Sequence, residues 1–206
     1  MTIREIEEQP LEASAQQEVV TLEEDAGDHE GHDHEEEGSD HEGHNHSEES
    51  EEIAWDDGNG EKVKAPKIIT KTLDGNTINL ADYKGKRVVL NFWATYCPPC
   101  KEEMPQLQHY FEESAEAQNA VILGVNLTDQ DIGMKAIKKF VNEYEVTFPI
   151  LLDEKGEISS NYGVITIPST IIVNGEGYIE TQIVGPVTEE LLIHKLGELD
   201  DANKGS

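Results

Sequence analysis

Basic residues are scarce in this chain: 15 Lys and Arg stand against 44 Asp and Glu, a formal net charge of −29 over 206 residues. Such a balance repels phosphate backbones, and no basic patch interrupts it, so a nucleic-acid partner is not expected. Cysteine is scarcer still, with two residues in all. A zinc site built on that pair needs two further ligands at a matching spacing. No second cysteine pair exists, and His109 and His194 sit alone in stretches of helical character. Apolar runs are only a few residues long, too short to span a bilayer. No signal peptide is evident, since Met1 is followed at once by polar and acidic residues. A cytoplasmic protein, or a soluble piece of a larger precursor, is expected on these grounds.

The acidity is unevenly spread. Residues 1–64 hold 23 Asp and Glu against Arg4, Lys62 and Lys64, and Trp55 is their only aromatic. High charge with little to bury cannot offset the entropy of ordering, so 1–64 is expected to be a disordered acidic tail. Residues 65–200 differ, with aliphatic runs spaced by Gly, Pro and Asp, enough for one domain with one core. Residues 201–206 are expected to form a flexible end.

Both cysteines fall in Phe92-Trp93-Ala94-Thr95-Tyr96-Cys97-Pro98-Pro99-Cys100-Lys101-Glu102-Glu103-Met104-Pro105. They follow an apolar run, Val88–Trp93, and open a helical segment. Two thiols three positions apart at a helix start can close a small disulfide ring. Cys97, the outer one, lies where unpaired N–H groups and the helix dipole favour a thiolate. A structural bridge rarely closes so short a loop, because the entropy it removes from the unfolded chain grows with loop length. Reversible thiol–disulfide exchange fits the pair best. A peroxidase is disfavoured, since no Thr-x-x-Cys pattern appears.

The remaining pattern predicts a hairpin across Asp74-Gly75-Asn76, strands at 87–92 and 120–126, and a helix over about 98–115 that Pro105 should kink. A helix at 131–143, a short strand at 148–152 and a short helix at 157–162 follow. Strands at 169–174 and 178–184 form an antiparallel pair, and Thr188 caps a last helix to 199. This is an α/β domain with a mixed central sheet.

Four motifs stand out: Asn91-Phe92-Trp93-Ala94, the Cys97–Pro105 segment, Ile167-Pro168-Ser169-Thr170, and Val184-Gly185. Together they resemble the thioredoxin superfamily, and more narrowly its ResA/TlpA-like extracytoplasmic thiol-disulfide oxidoreductases. The resemblance covers 66–200 and implies a thioredoxin-like fold with an N-terminal β-hairpin and a central α-β insertion at about 131–152. It implies a cis Pro168 against the disulfide, with Ile167 offering a strand-like edge to the partner. Trp93, Tyr96, Pro98 and Pro99 would frame that substrate site. Where classical thioredoxins carry a buried Asp, this chain has Asn91, which cannot exchange a proton. The branch places a glutamate three residues after the second cysteine, which maps onto Glu103. At i and i+3 on a helix, Cys100 and Glu103 share a face, so a partly buried Glu103 could pass a proton to and from Cys100.

The expected chemistry is attack by Cys97 on a target disulfide, then by Cys100 on the mixed disulfide, with no cofactor beyond the Cys97–Cys100 pair. Pro98 and Pro99 lack N–H groups, so the Cys97 thiolate loses donors and the couple should be reducing. The resemblance further implies an extracytoplasmic, membrane-anchored monomer whose anchor is absent from this chain. It would act on protein disulfides such as apocytochrome c cysteines and be rereduced by a membrane donor of the CcdA/DsbD type.

One tract stands apart. His29, His32, His34, His41, His44 and His46 form two His-Glu-Gly-His-x-His units twelve residues apart. Imidazoles among carboxylates suit Zn²⁺, Ni²⁺ or Cu²⁺, although a solvated acidic spacer has the same composition. An alternative function follows: metal binding or delivery, with the folded domain reducing a partner's metal-site cysteines.

Overall fold

A computed structural model describes residues 51–53, 55 and 61–204. Its strands are β1 (Glu51–Ile53), β2 (Ile69–Lys71), β3 (Thr77–Asn79), β4 (Arg87–Trp93), β5 (Ala120–Asn126), β6 (Ile150–Leu152), β7 (Ser169–Val173) and β8 (Ile179–Val184). Its helices are α1 (Pro98–Glu113), α2 (Met134–Glu143), α3 (Glu157–Asn161) and α4 (Glu189–Lys204), with a 3₁₀ turn at Leu80–Tyr83. The fold is the expected thioredoxin-like α/β arrangement. Six strands form one mixed sheet in the order β1-β8-β7-β4-β5-β6, and β2 pairs with β3 in a separate hairpin.

Every residue of β4 is buried, as a central strand covered on both faces requires. Because side chains alternate across a strand, Val89 and Trp93 join the core under α1, α2 and α4, with Met104, Leu107, Phe140 and Leu192. Val88, Leu90 and Phe92 join the opposite core with Leu123, Ile171 and Tyr162. The α2–β6 unit is the central insertion, and β6 runs parallel to β5 at the sheet edge. Antiparallel pairing of β4 with β7 sets Asn91 opposite Thr170 and Phe92 opposite Ser169. The start of β7 therefore lies beside the end of β4, where the CxxC begins.

Three boundaries differ from the sequence reading. The acidic tail expected to be disordered over 1–64 contributes β1, which pairs antiparallel with β8, Glu52 opposite Ile183. Strand β8 would otherwise carry open backbone donors and acceptors along one side, and composition does not report on backbone pairing. Helix α2 begins at Met134 and not at Asp131, because Gly133 sits at φ 110°, outside helical space. At the other end, α4 runs to Lys204 through the segment expected to be a flexible end. No Gly or Pro occurs between Asp200 and Lys204 to stop it. Pro105 lies inside α1, which continues past it.

Trp55 is held against β8. Its indole Nε1 donates to Gln182 Oε1 at 2.9 Å, and its ring packs on the core that holds Phe92 and Tyr162. Trp55→Ala should destabilise the domain by about 2 kcal/mol, less than a fully buried tryptophan, because Trp55 is half-buried. Urea unfolding checks this.

Candidate active site

The end of β4 and the start of α1 place the thiols. Cys97 is the N-cap of α1, and Pro98 and Pro99 occupy its opening positions, where a missing N–H costs nothing. Cys97 and Cys100 are joined in a disulfide. The Cys100 backbone N–H donates to Cys97 Sγ at 3.3 Å. On its other side Cys97 Sγ lies 3.7 Å from the Ile167 carbonyl oxygen. The Ile167–Pro168 peptide is cis, and Gly185 N donates to the Pro168 oxygen at 2.9 Å, tying this turn to the end of β8. Cys100 is fully buried, whereas Tyr96 beside Cys97 is 47% exposed.

Glu103 lies one turn along α1 from Cys100, only 2% exposed. Its Oε1 accepts from Asn91 Nδ2 at 2.9 Å and its Oε2 from the Val187 backbone N–H at 3.0 Å. Burial pushes its carboxyl pKa up to about 8, against the opposing pull of these two donors. Asn91 Nδ2 also reaches Thr170 Oγ1 at 3.2 Å, while Asn91 Oδ1 is buried with no hydrogen-bond partner among the described residues. Glu102, in contrast, is exposed.

Trp93 does not frame the site. It is wholly buried, its ring centroid 4.6 Å from that of Phe140 on α2. The strand alternation that puts Val89 in the α1-facing core puts Trp93 there too, in the same buried cluster as Cys97 and Cys100. Tyr96, Pro98, Pro99, Ile167 and Pro168 are brought together around Cys97. The Val187 amide was not legible in the sequence, because it belongs to no motif, and the motif that ends at Thr170 did not announce the hydrogen bond of its hydroxyl with Asn91. The six tract histidines, from His29 to His46, lie outside the described residues. Among the described residues no group of three His, Cys, Asp or Glu could hold a metal ion. None of the described helices is long and apolar enough to cross a membrane.

A disulfide capping a helix beside a cis-proline turn, with a buried carboxyl behind it, defines a thioredoxin-like redox protein. Residues 62–182 match the AhpC/TSA family, and the chain belongs to it. It is 40% identical over 139 residues to the thioredoxin-like protein YneN of Bacillus subtilis, covering 68% of this chain and 80% of that protein. It is 37% identical over 129 residues to the thiol-disulfide oxidoreductase ResA of Bacillus thuringiensis, covering 63% and 72%. The crystal structure of StoA from Bacillus subtilis superposes with a TM-score of 0.57 at 35% identity, covering 63% of this chain and 96% of that one. The chain is thus a thiol-disulfide oxidoreductase related to ResA and StoA, with Cys97–Cys100 as its redox-active disulfide.

Proposed function

We propose that this protein is a reductant of protein disulfides outside the cytoplasmic membrane, with Cys97 as nucleophile and Cys100 as resolving thiol. The Cys97 thiolate attacks a target disulfide, forming a mixed disulfide and releasing one target sulfur as a thiolate. In the molecules whose Glu103 is ionised, Cys100 gives its proton to that carboxylate and attacks Cys97 Sγ. The second target thiolate leaves, the protein is oxidised to the Cys97–Cys100 disulfide, and the target has gained two electrons. A carboxyl with a pKa of about 8 is matched to taking and returning a proton near neutral pH.

The observation that carries the direction is the hydrogen bonding of Cys97. With Pro98 and Pro99 next along, the Cys100 amide is the helix donor to its sulfur. Fewer donors mean a less stabilised thiolate and a more reducing couple. The family supports protein substrates, with the CxxCH thiols of apocytochrome c as the proposed target and a CcdA/DsbD-type membrane protein as the proposed electron donor. The reduction potential at pH 7, measured by equilibration with dithiothreitol buffers, tests this reading. A value at or below about −270 mV is expected, and one near about −120 mV would make the protein a disulfide-forming oxidant.

A further inference from the structure

We propose that Asp131 is a positioning residue for Cys97: it clamps the turn between β4 and α1 that carries the thiol. Its Oδ2 accepts from the Thr95 backbone N–H at 2.9 Å and from Asn126 Nδ2 at 2.8 Å. Its Oδ1 accepts from the Thr95 hydroxyl and from the Ile132 N–H, the latter at 2.7 Å. Thr95 is buried, two residues before Cys97. The sheet ladder ends at Trp93, opposite Asn126. Beyond it, Ala94–Cys97 has one internal backbone bond, Cys97 N to Ala94 O at 3.3 Å. The carboxylate reaches this turn because Gly133 delays α2, leaving Asp131 outside the helix in the loop between β5 and α2.

The clamp matters most in the reduced protein. In the oxidised form the disulfide ring holds Cys97 covalently against α1. Once that bond is broken, the clamp and the Cys100 amide keep Sγ within reach of its partner. The tendency of two thiols to re-form a disulfide follows their effective concentration, so a looser turn makes oxidation less favourable and the couple less reducing.

The inference rests on Cys97–Cys100 being the cycling pair, and the test separates the two. Full-length wild type, Asp131→Ala, Asp131→Asn and Thr95→Val are each equilibrated with dithiothreitol buffers at pH 7. Asp131→Ala should lower the equilibrium constant for disulfide formation about tenfold, a potential ~30 mV less negative. Asp131→Asn keeps an acceptor for the Thr95 N–H and should stay within about threefold of wild type. Thr95→Val, nearly isosteric and lacking only the hydroxyl arm, should fall about threefold and covers the case in which Asp131→Ala does not fold. Urea unfolding of the oxidised variants reads stability separately, and a uniform loss of stability leaves the potential where it was. Wild-type values for both Asp131→Ala and Thr95→Val overturn the clamp, as does Asp131→Asn falling as far as Asp131→Ala, which would show charge at work. A wild-type protein that fails to equilibrate at all overturns the functional reading instead.

Discussion

Cys97→Ser is expected to abolish disulfide reduction, a loss of at least about a thousandfold, because the nucleophile itself is gone. Cys100→Ser should behave differently. Its remaining thiol attacks a target once and then stays joined to it, since no second sulfur resolves the mixed disulfide. The asymmetry follows from position. Cys97 Sγ lies against the Ile167 carbonyl beside exposed Tyr96, and Cys97 keeps 5% of its surface exposed while Cys100 keeps none, so Cys97 is the thiol better placed to meet a protein substrate. Turnover of insulin disulfides with dithiothreitol measures the first effect, and nonreducing electrophoresis of the trapped conjugate measures the second. Trapping by Cys97→Ser in place of Cys100→Ser would reverse the assignment of roles.

The second large effect concerns Glu103. Its pKa rises from 4.5 to about 8 on folding, chiefly through burial. Between about pH 4.5 and about 8 the folded protein therefore holds a proton that the unfolded chain has released. Unfolding frees that proton, so stability is greatest below this window and falls as pH rises through it, by at most about 1.4 kcal/mol per pH unit and a few kcal/mol in all. Glu103→Gln removes the titrating group. The glutamine oxygen can accept from one of the two donors that face it, and its NH₂ can serve Asn91 Oδ1, which has no hydrogen-bond partner among the described residues. Urea unfolding of the oxidised proteins at pH 5, 6.5 and 8 should show wild type weakening with pH and Glu103→Gln losing this part of the slope. Parallel curves would mean that Glu103 is ionised throughout. If Glu103 takes the Cys100 proton, the same variant should slow resolution of the mixed disulfide about a hundredfold.

Much of the scaffold could be read from the chain alone, because it rests on local rules. The near-continuous apolar run at 88–93 made β4 legible, and the bounds read for β5 are those observed. The Asp74-Gly75-Asn76 turn placed the hairpin, and Thr188 caps α4 as expected, its hydroxyl accepting from Leu191 N at 3.1 Å. The CxxC at a helix start announced its chemistry through spacing and the dipole. Folding was needed for contacts between distant residues that no period or turn encodes. Glu103 meets the Val187 amide across 84 residues, Thr95 meets Asp131 across 36, and Trp55 meets Gln182 across 127. Trp93 shows the same limit: its motif marked it as part of the site, but only the packing of α2 over β4 buried it. Local patterns specify which elements form. Which buried donor finds which acceptor depends on strand register and helix placement, and these decide both the proton affinity of Glu103 and the hold on Cys97.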